Sequence, residues 1–314
     1  MTTLIVIAAL LCAGAAATLI GVWLIERAHP PRGQFIEVGG LRQHVVDLGS
    51  RVHGRAEPAV VLLHGAACNL EDMHLALGER LAKRHRVVLV DRPGLGWSER
   101  KHREGSSPAY QAGVLREVLD RLGVKRAILV GHSWGGALAL RFALDYPERL
   151  AGLVLIAPPT HPLLPRSTRF YAFYGAPIFG RLWARTMALP FGLLLIGLGF
   201  RTVFMPEAPP PAYQKRAAVK LLLRPSTFLA NAADVADLKG FLDQQAALYG
   251  TLQAPVIILS GDCDAIVAPK QHCMELAAAV PHAKISVLPG FGHMLHHTAP
   301  DRVIAAIEEI AKKS

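Results

Sequence analysis

The sequence predicts an α/β architecture, a mostly parallel sheet flanked by helices, and three observations predict it. Short apolar runs alternate with stretches of helical periodicity along most of the 314 residues. One of these runs, Ala127-Ile128-Leu129-Val130, breaks straight into Gly131-His132-Ser133-Trp134-Gly135-Gly136 and a helix-like segment. Two later runs end in loops that combine glycine with a titratable side chain, Gly261-Asp262-Cys263-Asp264 and Gly290-Phe291-Gly292-His293. With 52% hydrophobic residues, the chain can bury a large core without further subdivision.

Taken in order, the first element is an apolar helix. No charged residue occurs from Thr2 through Ile25, and roughly twenty residues at about 1.5 Å each cross a hydrocarbon core. Trp23 and Arg27 suit an interfacial boundary. Residues 1–27 are therefore expected to be a membrane anchor. The competing reading is a cleaved signal peptide, with Ala13-Gly14-Ala15 as the cleavage region. Against it, no Lys or Arg precedes the apolar run, which continues to Ile25. A linker near 28–33 leads to two strands, 34–38 and 43–47, that form a hairpin around Gly39-Gly40. A strand at 59–63, a helix near 71–83, a strand at 86–90 and a helix near 110–122 follow. After the strand that precedes Gly131 come a strand at 152–156, an insertion, strands at 255–260 and 284–288, and an amphipathic helix from Pro300 to Lys312. The domains read as the anchor (1–27), a catalytic domain (28–159 and 241–314) and a helical cap (160–240).

The chemistry starts at Ser133. Gly-x-Ser-x-Gly between a strand and a helix is a nucleophile elbow, a turn so tight that its serine takes strained backbone angles. A lone serine is a poor nucleophile and requires a base and a group that orients it. His293 is the candidate base and the aspartates at 262 and 264 are the candidate acids, all just past the C-terminal ends of strands, where α/β sheets place their ligands. The bland reading of such an aspartate is a turn residue bonding nearby backbone N–H groups. Trp134, which follows the nucleophile, is expected to supply one N–H to an oxyanion hole, and the loop His64-Gly65-Ala66-Ala67 another.

Together these segments resemble the α/β-hydrolase superfamily, of the single-cap esterase, lipase and C–C hydrolase type. The likeness covers roughly residues 34–312 apart from the insertion. It rests on His64-Gly65 after a strand, Asp91-Arg92-Pro93-Gly94-Leu95-Gly96-Trp97-Ser98, the elbow, Gly261-Asp262-Cys263-Asp264 and Gly292-His293, in that order. The resemblance implies an α/β-hydrolase fold with a cap over the site. It implies a triad of Ser133, Asp264 and His293, since the second aspartate of Gly-Asp-x-Asp usually carries the acid role. It also implies an oxyanion hole from Ala66 and Trp134, with Ala67 as the fallback. His64 and Asp91 are expected to brace loops, and His132 to pack. Relatives that open epoxides or remove halide carry aspartate at the nucleophile, which this chain does not.

No metal motif and no dinucleotide fingerprint is present, so neither a metal nor a cofactor is expected. His296-His297 are expected to be solvated or pocket-lining, pointing apart. The formal net charge is +10, and residues 160–250 hold ten Lys or Arg against four Asp or Glu, a net of +6. Anionic headgroups would use that charge; nothing resembling a nucleic-acid platform accompanies it. Thr186 to Phe200 is uncharged. It reads either as a cap helix packed on the core or as an interfacial or acyl-chain segment, with Pro190 and three glycines expected to interrupt it. The arginines after the anchor place the catalytic domain on the cytoplasmic side by the positive-inside rule, although large domains can translocate regardless. Free thiols are expected rather than disulfides. The function expected is hydrolysis of a lipophilic carboxylic ester through an acyl-enzyme. The alternatives are C–C bond (diketone) hydrolysis, a cofactor-free perhydrolase, and a non-catalytic binding protein on the same fold.

Overall fold

The computed structural model describes residues 1–49, 58–101, 103–163, 168–174, 176 and 178–313, so residues 164–167, 175 and 177 of the expected cap lie outside the described residues. The strands are β1 (Gln34–Val38), β2 (Leu41–Leu48), β3 (Ala59–Leu63), β4 (Val87–Val90), β5 (Ala127–His132), β6 (Leu150–Ile156), β7 (Val256–Gly261) and β8 (Lys284–Leu288). They form one sheet in the order β1-β2-β4-β3-β5-β6-β7-β8. The β1–β2 and β2–β4 pairs are antiparallel and every later pair is parallel. Strands buried on both faces need continuous apolar runs, and Ala59–Leu63 and Leu150–Ile156 are such runs, buried at every position. At the sheet edge Gln34–Val38 alternates instead, with Ile36 and Val38 turned inward.

Two apolar layers sandwich the sheet. On one side α3 (Pro108–Arg121) and α4 (Trp134–Asp145) pack Leu115, Val118 and Leu138 over Val61, Leu129 and Leu153. On the other, α2 (Leu70–Met73) and α10 (Pro300–Ala311) pack Met73, Val303 and Ile307 over Val60, Ile128 and Val154. The helix expected near 71–83 is interrupted, because Leu70–Met73 passes into a π turn at His74–Gly78 before Glu79–Leu81. Between β7 and β8, α9 (Pro269–Ala279) buries Cys273 and Leu276. All four cysteines are free.

The insertion between β6 and β7 contains α5 (Thr168–Tyr174), α6 (Phe179–Thr186), α7 (Ala188–Phe204) and α8 (Pro225–Ala246). Pro190 does not interrupt α7, contrary to the expectation from sequence. It falls in the first helical turn, where a missing N–H costs nothing because that group has no intrahelical acceptor anyway. Helix α1 (Thr2–Ala28) is long and apolar enough to cross a membrane. Far from hanging on a loose linker, it packs along the cap. Glu26 pairs with Arg224 at 3.2 Å, and the Trp97 indole N–H donates to the His29 carbonyl at 3.1 Å.

One buried carboxylate fastens the cap to the sheet. Asp234 on α8 is fully buried and accepts from Arg92 at 2.7 Å and from Arg100 at 2.5 Å. Arg92 also donates to the carbonyls of His64 and Gly65 and lies 4.0 Å over the Trp134 ring. Removing one partner of a buried ion pair leaves an uncompensated charge, at a cost of about 3–5 kcal/mol. Asp234→Ala should therefore lower the stability of the protein by about that much in urea titrations. A loss below about 1 kcal/mol would show that apolar packing alone holds the cap.

Candidate active site

The residues predicted for the site come from four separate loops at the C-terminal edge of the parallel strands. Ser133 links β5 to α4 with φ 49° and ψ −122°. A non-glycine residue at positive φ is costly and persists only where its surroundings over-determine it. The neighbouring glycines supply that constraint: a Cβ at Gly131 would lie 2.4 Å from the Gly135 carbonyl oxygen, and one at Gly135 would lie 2.4 Å from that of Leu63. Strand β5 and helix α4 therefore close on each other and on β3 only because these positions lack side chains. The turn directs the N-terminal end of α4, with its partial positive charge, at the space above Ser133.

Asp264 and His293 are in direct contact. His293 Nδ1 donates to Asp264 Oδ2 at 2.7 Å, and Asp264 Oδ1 accepts from the Ile266 and Val267 N–H groups at 2.8 and 2.9 Å. Both side chains are buried. A ring that donates through Nδ1 keeps Nε2 as its basic nitrogen in the neutral form. Asp262 is exposed and directed elsewhere, its Oδ1 accepting from the Gly290 N–H at 2.7 Å. It thereby fits the bland reading of a turn residue. Ser133 and His293 line one cavity of about 460 Å³.

The N–H groups of Ala66 and Trp134 have no acceptor among the described residues, and both residues line the cavity. The fallback Ala67 is spoken for, because its N–H donates to Asn231 Oδ1 on α8 at 2.6 Å. His64 braces the same loop: the Arg92 N–H donates to its Nε2 at 3.0 Å, so Nδ1 carries the proton and donates to the Gly65 carbonyl at 2.9 Å. Asp91 accepts from the Leu70 and Trp97 N–H groups at 2.7 and 2.8 Å and from His44 at 2.7 Å.

His296 and His297 require a correction. Neither is solvated, and both point at the same carboxylate: His296 Nε2 lies 2.9 Å from Asp72 Oδ2 and His297 Nε2 lies 2.8 Å from Asp72 Oδ1. Helical geometry at Leu295–Thr298 brings the rings within 4.5 Å, and Asp72 reaches between them from α2. The Tyr213 hydroxyl donates to the same Oδ1 at 2.7 Å. Burial opposes ionisation of Asp72, but the two histidines outweigh it and hold the carboxyl well below its ordinary range. Potential ligand atoms of Asp72, His132 and His296 lie within 4.8 Å of one another. Both carboxylate oxygens are already engaged and the His132 and His296 rings pack at 4.2 Å, so the cluster is built as a brace behind the His293 loop. Sequence reasoning missed Asp72, Asn231 and Asp234, because no local pattern connects them to the site.

Much of the remaining cavity wall is apolar: the cap contributes Leu195, Ile196, Phe200, Val203 and Leu223, and the loops after β7 and β8 contribute Ile266, Val267 and Met294. Among the described residues lining the cavity there is no Lys or Arg.

A family model described as alpha/beta hydrolase fold matches residues 58–300. Among curated proteins, an uncharacterized protein of Mycobacterium bovis is 28% identical over 295 residues, 89% of this chain and 81% of that protein. A 2-hydroxy-6-oxononadienedioate/2-hydroxy-6-oxononatrienedioate hydrolase of Burkholderia vietnamiensis is 43% identical over 122 residues, 36% of this chain and 42% of that enzyme. Among solved structures, a thermophilic esterase from Thermogutta terrifontis superposes with a TM-score of 0.70 at 24% identity, over 90% of this chain and 99% of its own. A meta-cleavage product hydrolase from Pseudomonas fluorescens does so with a TM-score of 0.64 at 20% identity, over 90% and 98%. At such identities the structural likeness establishes the fold.

The buried imidazoles give the fold a pH dependence. Burial, reinforced by the Arg92 guanidinium, pulls His64 down to about 4, and burial also lowers His132 and His296. A histidine depressed in the folded chain takes its proton first in the unfolded chain. Its contribution is complete above about pH 6.5 and is lost as the pH falls towards 4. For His64 alone, acidification from pH 7 to 5 should remove roughly 2 kcal/mol. The urea midpoint should fall over that interval; an unchanged midpoint would show that these rings titrate normally.

Proposed function

The chain belongs to the α/β-hydrolase family, and from that premise we propose that it is a serine hydrolase of lipophilic carboxylic esters. The observation that carries the reading is a convergence in one apolar cavity: the strained Ser133, the Asp264–His293 pair and the two unengaged N–H groups of Ala66 and Trp134. His293 accepts the Ser133 proton at Nε2 as the hydroxyl oxygen attacks the ester carbonyl. Asp264 holds the ring in that tautomer and stabilises its protonated form. The Ala66 and Trp134 N–H groups stabilise the oxyanion. His293 then protonates the departing alcohol, and the acyl group stays on Ser133. Water, deprotonated by His293, releases the acid and restores the serine. No cofactor takes part in this scheme.

A second reading is C–C bond hydrolysis, supported by the Burkholderia relative, whose name carries a dioate substrate. A dicarboxylate calls for cationic partners in a desolvated site. The described cavity wall offers apolar side chains and no Lys or Arg, which favours a neutral, lipophilic acyl group. In the same proposal, α1 is a retained anchor that holds the catalytic domain at the cytoplasmic face of a membrane. A mean hydropathy of 2.5 over an 18-residue stretch and the 27-residue length of α1 support the anchor; Arg27, Arg32 and Arg42 after it support the orientation.

Ser133→Ala and His293→Ala should each lower ester turnover by about 10⁴-fold or more, because the residues act as a unit. Asp264→Asn should be comparably severe, and Asp262→Asn should change turnover by only a few-fold, as its side chain faces Gly290. If Asp262→Asn proves the more damaging in folded protein, the acid is misassigned.

A further inference from the structure

The apolar surface of the molecule does not stop at α1. Helix α7 carries no charge from Ala188 to Phe200, and along it Leu194 and Leu198 are 78% and 66% exposed, with Phe191, Leu193 and Leu195 exposed beside them. An uncharged, contiguous apolar patch on a protein surface marks a contact with another phase or partner. The packing of α1 identifies which. Gly14, Thr18, Gly21 and Ile25 form one stripe of α1 that faces the cap: a Cβ at Gly14 would lie 2.5 Å from the Thr186 carbonyl oxygen, and one at Gly21 would lie 2.8 Å from Leu189. Thr18 and Ile25 are buried between them. Small residues on such a stripe bring helices into close contact, and packed helices sit about 8–10 Å apart. The bend between α6 and α7, where the two helices meet at 76°, therefore lies at the level of the apolar part of α1.

We infer that the bent α6–α7 pair enters the leaflet beside α1, and that the active-site cavity takes its ester directly from the lipid phase through this wall. The inference rests on the ester-hydrolase reading of the cavity and adds the source of the substrate. Three further features agree with a bilayer as the occupant of the patch. First, Leu195 of α7 belongs to both surfaces: it is 59% exposed and also lines the cavity with Ser133. Second, Gly192 and Gly199 both line the cavity; Gly192 is packed against Leu223, but a Cβ at Gly199 would meet nothing within 4 Å, so room for an acyl chain is left beside Gly199. Third, exposed Arg181, Arg185, Arg201, Lys215, Arg216 and Lys220 accompany the patch. Their long side chains can bury their stems and reach anionic headgroups.

The test uses the full-length protein in vesicles of phosphatidylcholine with anionic phosphatidylglycerol. An environment-sensitive fluorophore is placed at Leu194→Cys in a Cys12→Ser, Cys263→Ser background, with Cys68 and Cys273 buried. Native Cys12 on α1, in a protein carrying Cys263→Ser alone, serves as the embedded control, and Met274→Cys on α9, in the background with both serines, as the aqueous control. The inference expects spin-labelled lipid to quench the Leu194 probe as it does the Cys12 probe, and aqueous iodide to quench Met274 only. Leu194→Asp and Leu198→Asp should lower turnover of a long-chain ester in vesicles by tenfold or more. They should leave a short soluble ester within about twofold. A Leu194 probe quenched from water and not from lipid, or a probe shielded from both by a second copy of the chain, would overturn the inference. Failure of the ester-hydrolase reading would show separately, as the absence of fluorophosphonate labelling at Ser133 in the unsubstituted protein, since lipid quenching does not depend on turnover.

Discussion

The backbone at Ser133 has to leave a buried strand and enter a helix within one residue, and the rest of the site is arranged around that constraint. A φ of 49° is tolerable there only because β3, β5 and α4 close around it through positions with no side chain. The hydroxyl stands clear of the sheet, the adjacent N–H of Trp134 has no acceptor among the described residues, and the dipole of α4 is aimed at the same point. Strain of this kind, of order 1–3 kcal/mol per residue, is sustainable in a core whose strands are buried on both faces.

Three buried carboxylates then fix what the turn alone cannot. Asp91 binds the loop after β4 to β2 and α2, Asp72 holds the short helix that follows His293, and Asp234 ties the cap to Arg92 and through it to the oxyanion loop. Each joins elements far apart in the chain, and each has charged or N–H partners at both oxygens. A buried charge is expensive unless its hydrogen bonds are complete. The arrangement is therefore nearly all-or-none, which is what a site with fixed distances requires. The cap also reaches the loop after β3: Asn231 occupies the Ala67 N–H, while that of Ala66 has no acceptor among the described residues.

What was legible in the sequence follows from locality. The alternation of elements, the elbow at Ser133 and the strand-end positions of Asp264 and His293 depend on residues a few places apart, and the fold agrees with all of them. Asp264 and Asp262 could not be separated on spacing alone; the resemblance favoured Asp264, and the geometry sets Asp264 against His293 and Asp262 against Gly290. The brace between Asp72 and His296 spans 224 positions, and that between Ala67 and Asn231 spans 164, distances over which one sequence carries no pairing signal. His296 and His297 were misread for the same reason, since adjacent side chains converge only when a third group draws them together. Pro190 was misread because its effect depends on its place in the helix, which the segment's composition does not reveal.

Helix α1, cap and cavity form one connected system, in which α1 packs on α6 and α7 and α7 walls the space above Ser133. At the centre of the account is covalent chemistry at that serine. The most direct measurement is to quench the turnover of a long-chain p-nitrophenyl ester within the first catalytic cycle and map the acyl group by peptide mass spectrometry. The account predicts one acyl mass increment on the peptide containing Ser133. An active protein with its acyl group on another residue, or with none trapped on Ser133 despite a burst of p-nitrophenol, would contradict it.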